Sequence, residues 1–327
     1  MKALLCHAFG SIENLRVEEV EAPVAGPGQV VVAIQAAALN FPDALIVQGL
    51  YQVKPALPFS PGAEFAGVVK TVGAGVSHLS VGDRVMALVP HGALAEACAV
   101  DARGVVPLPD DMDFATGSAL LLTYGTSLHA LKDVAKLAAG ESLLVLGAAG
   151  GVGTAAIEIG KLMGARVIAA ASSAEKLALC REHGADETIN YARDDLRERV
   201  DALTDKRGVD VVYDAVGGAY SEAALRATGW GGRLLVVGFA TGEIPRLPLN
   251  LALLKERQIL GVYWGDWTKR NPTLQQAHLL QLLEWYRGGK IVPPVTEQLP
   301  LSGAVDALQR MARREVRGKL VVLVGSG

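Results

Sequence analysis

The run Leu143-Leu144-Val145-Leu146-Gly147-Ala148-Ala149-Gly150-Gly151-Val152-Gly153 reads as a buried strand, a glycine turn and the first turn of a helix. Gly150 and Gly153 fill two places of a G-x-G-x-x-G pattern, and Ala148 stands where its first glycine would be. Without side chains at the glycine positions, backbone N–H groups can approach a pyrophosphate. The helix N-terminus adds partial positive charge. Gly153 lets the helix pack closely on the strand.

Downstream, strands and helices alternate. Strands are expected at Ser142–Leu146, Arg166–Ala171, Thr188–Asn190, Val209–Ala215 and Arg233–Phe239, with helices at Val152–Met163, Ala174–Glu182, Asp194–Thr204 and Tyr220–Thr228. Strands apolar on both faces belong in a parallel sheet covered by helices, here a Rossmann, doubly wound sheet. Ala119–Leu137 shows one helical period. Residues 1–120 are instead β-rich, with short runs bounded by Gly, Pro and Asp, which suits a barrel-like domain. After residue 260 the character is mixed: a strand at Gln258–Tyr263, helices at Leu274–Tyr286 and Ala304–Arg313, and a closing strand at Lys319–Val324. The expected organisation is α/β: residues 1–120 and 261–327 form a β-rich domain around a Rossmann domain at 121–260.

The end of the second strand decides the nucleotide. A site for NADH places a carboxylate there to bind both ribose hydroxyls. This chain has Ser172-Ser173-Ala174-Glu175-Lys176 after Ala169-Ala170-Ala171. Two hydroxyls and an ammonium one helical turn on suit the 2′-phosphate of NADPH, which a carboxylate would repel. Tyr191, beyond the third strand, adds a donor. NADPH is the expected cofactor.

Composition excludes other classes. The 327 residues carry 31 bases and 34 acids, and half are hydrophobic. That is ordinary globular content without the basic footprint of a nucleic-acid binder. The three cysteines, Cys6, Cys98 and Cys180, are scattered, which argues against a disulfide framework or a metal knuckle. No apolar run reaches the length of a membrane span, and the N-terminal apolar stretch is too short for a signal peptide. A cytoplasmic protein with no membrane or nucleic-acid partner is expected by elimination.

At this point the chain resembles the zinc-free quinone oxidoreductase branch of the medium-chain dehydrogenase/reductase superfamily. The resemblance runs through Ala37-Ala38-Leu39-Asn40-Phe41-Pro42-Asp43, Gly49-Leu50-Tyr51, Pro61-Gly62-Ala63-Glu64-Phe65, the glycine turn, His183-Gly184-Ala185-Asp186, and Asp214-Ala215-Val216-Gly217. It implies a GroES-like catalytic domain beside the Rossmann domain, a cleft between them, and a homodimer. By similarity, Ser172, Ser173, Lys176 and Tyr191 hold the adenosine phosphate end, and Gly151 and Val152 meet the pyrophosphate. Thr123, Thr126, Phe239 and Ala240 line the nicotinamide half, and Lys319 returns to the cofactor from the last strand. Asn40, Asp43 and Tyr51 face the substrate side as catalytic candidates. Trp264, after a strand, is read either as a wall of an aromatic substrate pocket or as a core residue.

Zinc-dependent relatives have a cysteine near Asn40 and a histidine in the Pro-Gly-x-Glu turn. Asn40 and Ala63 replace them here, and neither an amide nor a methyl group supplies such a ligand. No metal is expected, and Glu64 is read as the partner of a nearby arginine. Without a metal to stabilise an alkoxide, the site suits reduction of an acceptor that is already electron-poor. The expected activity is NADPH:quinone oxidoreduction. The alternatives are NADPH-dependent reduction of an enone or enoyl double bond, and a non-catalytic NADPH-binding redox sensor.

Overall fold

The computed structural model describes residues 1–325. The chain divides into two compact units: Met1–Leu122 with Pro293 onward, and Thr123–Val292.

The second unit is a six-stranded, all-parallel sheet. Its strands run in the order Glu187–Asn190, Arg166–Ala171, Ser142–Leu146, Val209–Asp214, Thr228–Val236 and Gln258–Gly261. Numbered along the chain that is 3-2-1-4-5-6, the Rossmann order, with its switch between the first and fourth strands. Leu143 to Leu146 are fully buried, which explains the unbroken apolar run. Each such side chain contributes roughly 1.5–3 kcal/mol over its exposed state. The fifth strand begins at Thr228, earlier than its apolar pattern predicts.

The expected single helix over 119–137 is broken. Short helices occupy Phe114–Ser118 and Leu121–Leu128, and a π-helix follows at His129–Val134. His129 Nδ1 lies 2.8 Å from Asp133 Oδ2. The His129 ring stacks on Trp267, which also stacks on His278.

That sandwich explains where the unit ends. The sequence reading begins the return segment at residue 261, but the helix Pro272–Arg287 lies within the second unit. Three ties hold it there: the Trp267 sandwich, Lys132 Nζ donating to Gln281 Oε1 at 2.8 Å, and the Val292 N–H donating to Glu158. The boundary therefore falls at Val292/Pro293.

The first unit joins both ends of the chain. Its seven-stranded sheet runs Val295–Pro300, Lys319–Leu323, Gln29–Ala38, Glu64–Val72, Arg84–Leu88 and Val105–Pro107, with Ala97–Asp101 also on Gln29–Ala38. The long strand Gln29–Ala38 serves two partners on one edge. Gln29–Ala33 pairs with Ala97–Asp101, and Ala36–Ala38 pairs with Val321–Leu323. Register shifts along its pairing with Glu64–Val72 curve the sheet towards a barrel. Leu4, Val30, Val32, Ile34, Phe65, Val85, Leu308 and Val322 fill its core.

Candidate active site

In the Rossmann unit, Gly147 turns the chain out of the first strand with φ of 66°. Gly150 then caps the helix Gly151–Leu162 and has no side chain to bind its first N–H groups. Those donors have no partner within the helix and face outward with the positive end of its dipole. A Cβ on Gly153 would lie 2.4 Å from Gly147 O and 2.7 Å from Ala148 Cα. Only glycine therefore lets the helix sit this close to the turn. At Gly150 the nearest such atom is 3.4 Å away, so that position keeps an open face.

The next strand, Arg166–Ala171, ends without a carboxylate. Ser173 Oγ accepts the Lys176 N–H at 3.3 Å as the cap of the helix Ala174–Glu182, and Lys176 Nζ reaches Ser172 Oγ at 3.5 Å. The Tyr191 N–H donates to Ala171 O, setting Tyr191 beside this strand end, with its ring against Tyr220. Ser172, Ser173, Lys176 and Tyr191 are thus gathered at one strand end. Among the polar groups there, an ammonium and hydroxyls fit a 2′-phosphate, and the uncapped glycine turn fits a pyrophosphate.

Phe239 and Ala240 follow the fifth strand, where the Ala240 N–H donates to Ala215 O at 3.2 Å. Asp214 builds that neighbourhood by accepting the N–H groups of Val216 and Gly217. Thr123 and Thr126 lie on the helix Leu121–Leu128, Thr123 buried and Thr126 partly so. Of the two readings of Trp264, pocket wall or core residue, the contacts favour the second: its ring packs on Gly125, where a Cβ would approach to 2.4 Å. Its Nε1–H donates to Gln275, and the residue is only 7% exposed. The structure gives it a packing role.

In the first unit, three strand ends bring together residues far apart in sequence. Glu64 is paired with Ala38, and the Leu39 N–H donates to Leu320 O, so Asn40 lies beside Glu64 and Lys319. Lys319 Nζ donates to Asn40 Oδ1 at 2.7 Å and to Glu64 Oε2 at 3.3 Å. Asn40 Nδ2 donates to Glu64 Oε2 and to Ala38 O, each at 3.2 Å. Glu64 Oε1 accepts the Leu122 N–H at 2.9 Å. Lys319 is 2% exposed and Glu64 fully buried. A buried ammonium needs such partners.

One expectation changes here: the partner of Glu64 is Lys319 and not an arginine. Lys319 also gives its ammonium to Asn40. A lone lysine opening an apolar strand and a lone glutamate opening another were the available signals.

Asn40 also precedes the short helix Phe41–Val47, and its N–H donates to Asp43 Oδ2 at 2.8 Å. Asp43 Oδ1 is buried with no hydrogen-bond partner. Burial, above all, pushes the Asp43 carboxyl up to about 7; the Asn40 N–H and the Lys319 charge oppose that rise and the Glu64 charge adds to it. Tyr51, beyond the turn at Gly49, is half-buried against the core of this unit. Among the described residues, no three His, Cys, Asp or Glu side chains are gathered as a metal requires. No described helix is long and apolar enough to cross a membrane.

Two family models match the chain: an alcohol dehydrogenase GroES-like domain over residues 26–110 and a zinc-binding dehydrogenase over residues 151–283. The "Quinone oxidoreductase-like protein 2 homolog" of Nematostella vectensis is 37% identical over 325 residues, covering 98% of this chain and 88% of that protein. The quinone oxidoreductase structure from Pseudomonas syringae pv. Tomato DC3000 superposes with a TM-score of 0.92 at 32% identity, over 99% of both chains. The Escherichia coli quinone oxidoreductase complexed with NADPH gives 0.94 at 27% identity, covering 99% of this chain and all of that one. With a GroES-like unit, a Rossmann unit and relatives of this name along its whole length, the chain belongs to the quinone oxidoreductase branch of the medium-chain dehydrogenase/reductase superfamily.

Proposed function

We propose that this chain is an NADPH:quinone oxidoreductase that needs no zinc. The observation that carries the cofactor is the strand end at Ser172, where an ammonium and hydroxyls stand in place of a carboxylate. The relatives named quinone oxidoreductase carry the acceptor class. Bound NADPH supplies hydride. Gly151 and Val152 bind its pyrophosphate, and Ser172, Ser173, Lys176 and Tyr191 its adenosine phosphate. Thr123, Thr126, Phe239 and Ala240 orient the nicotinamide half.

On the acceptor side, Tyr51 donates a hydrogen bond to the oxygen that gains charge. Asn40 has both amide ends engaged, so it holds the Asp43 turn in place and does not itself bond the acceptor.

The protein acts as a homodimer in the cytoplasm. Among the described residues, the strand Gln258–Gly261 leaves one edge of its sheet unpaired, with Ile259 exposed on it and Leu253 and Leu254 exposed just before it. The three cysteines are free, as a reducing compartment keeps them.

The test is NADPH consumption, with a chelator present, against a benzoquinone, a naphthoquinone, an α,β-unsaturated ketone and an enoyl thioester. Fast turnover with the quinones is expected. Preference for the enone or thioester replaces this reading with double-bond reduction. Tight NADPH binding without turnover of any acceptor in the panel replaces it with a redox sensor.

A further inference from the structure

The N–H groups of Gly151, Val152 and Gly153 open the helix Gly151–Leu162 and have no partner within it. Each belongs to a peptide unit whose other end is the carbonyl of the preceding residue: Gly150, Gly151 or Val152. Buried hydroxyls hold all of those carbonyls. Thr154 Oγ1 shares its proton between Gly150 O at 3.1 Å and Gly151 O at 3.0 Å. Ser127 Oγ donates to Val152 O at 2.9 Å, and the Tyr213 hydroxyl lies 3.0 Å from Ser127 Oγ. Thr154, Ser127 and Tyr213 are fully buried.

A serine hydroxyl has a single proton. Ser127 gives it to Val152 O, so the proton between Ser127 and Tyr213 comes from the phenol. Burial raises the Tyr213 phenol above its ordinary pKa and the Ser127 contact opposes that rise, so the phenol keeps its proton. Donation therefore runs from Tyr213 through Ser127 to the Val152–Gly153 peptide. Local structure explains neither group. A serine in a helix commonly returns its hydroxyl to a carbonyl of the same helix, whereas Ser127, on the helix Leu121–Leu128, reaches the glycine turn instead. Tyr213 lies in the strand Val209–Asp214, where phenylalanine would fill the same space with no polar group to satisfy.

We propose that Thr154, and Ser127 backed by Tyr213, are positioning residues for the pyrophosphate of NADPH. This rests on the reading above that the glycine turn holds the pyrophosphate. A hydroxyl on the carbonyl end of a peptide fixes the direction of its N–H. It also draws electron density towards the oxygen, which makes that N–H a stronger donor. The turn thereby grips phosphate oxygens more firmly without any formal charge. The effect is the same for every dinucleotide, with or without a 2′-phosphate. Lys176 tells the nucleotides apart, and these hydroxyls strengthen the hold common to both.

The experiment is calorimetry on the full chain with NADPH, NADH and adenosine 2′-monophosphate, the last of which carries the 2′-phosphate but no pyrophosphate. The main variant combines Ser127→Ala with Tyr213→Phe. It removes both partners of a buried bond together and leaves neither unsatisfied, so its urea midpoint should stay near that of the wild type. NADPH and NADH should both bind about fivefold more weakly, and adenosine 2′-monophosphate should bind as before. Tyr213→Phe alone keeps the Ser127 hydroxyl on Val152 and should lose less. Thr154→Val, a change of similar shape, should give the pattern of the main variant, and it stands in if that variant does not fold.

Wild-type affinity for both dinucleotides in either variant overturns the proposal. So does a loss confined to NADPH, or one shared by adenosine 2′-monophosphate, which would mark a general disturbance of the unit. Gly150→Ala keeps failure of the underlying reading apart. If that methyl group leaves both dinucleotides bound as before, pyrophosphate does not lie on the turn, and the proposal falls with that reading. If it weakens both while the hydroxyl variants bind like the wild type, the reading stands and the proposal alone is overturned.

Discussion

A single run of consecutive residues builds the glycine turn at 143–153, and it works through backbone. The cluster at Asn40 works through side chains, one pair of them 279 positions apart. The turn offers N–H groups that carry no formal charge, so its weakness is steric: it fails where a Cβ intrudes. The cluster offers two formal charges and a buried carboxyl, so its weakness is electrostatic: it fails when a partner is removed or a proton moves. A nucleotide common to many enzymes can be held by geometry alone. An acceptor that must be activated calls for charge, and charge in a buried place needs partners from distant parts of the chain.

The largest expected effect breaks the cluster. Lys319→Met leaves Glu64 buried and unpaired, and should destabilise the protein by roughly 3–5 kcal/mol in urea unfolding. Adding Glu64→Leu should recover much of that loss. A single variant as stable as the wild type would mean that the pair contributes nothing to holding the strand ends.

The second effect is one of pH. The folded carboxyl of Asp43, about 7, lies above its ordinary 3.8. Its contribution to stability is therefore fully present below pH ~4 and is lost as pH rises through ~7, by on the order of 4 kcal/mol. Asp43→Asn should flatten that part of the stability profile. An unchanged slope in the variant would assign it to other groups.

The turn gives a smaller and more local pair of effects. Gly153→Ala presses a methyl group onto Gly147 O, within 2.4 Å, and should cost roughly 1–3 kcal/mol. Gly150→Ala has room and ordinary backbone angles, so its stability should stay within about 0.5 kcal/mol of wild type while NADPH affinity falls. Equal losses of stability would erase the distinction between the packed glycine and the open one.

The smallest effect sharpens the assignment of the nucleotide. Lys176→Ala should weaken NADPH about tenfold, or ~1.4 kcal/mol, and leave NADH nearly unchanged. Calorimetry with both cofactors separates these outcomes; equal weakening would place Lys176 away from the 2′-phosphate.

How far each region was legible follows from the same contrast. The strand–turn–helix at 143–153 and the alternation after it are local patterns, and the Rossmann sheet was readable from them. The place of Ser172 and Lys176 just beyond a strand end was readable because they follow the strand directly. The partner of Glu64 was not, because 255 residues separate it from Lys319 and only the pairing of three strands brings them together. The place where the chain leaves the Rossmann unit was also hidden. It depends on Trp267 lodging between His129 and His278, a contact that leaves no period in the sequence. The π-turn at His129–Val134 was lost in the helical period for the same reason: inserting a residue into a helix changes its path but not its composition.

The strand Lys319–Leu323 pairs with Gln29–Ala38 near the start of the chain. During synthesis the Rossmann unit, which is contiguous, is complete once Val292 has emerged, and can fold while translation continues. The first unit must wait with its central strand short of a partner until Lys319–Leu323 has emerged. A nascent chain stalled before Lys319 would thus carry a finished Rossmann unit and a Glu64 without its cation.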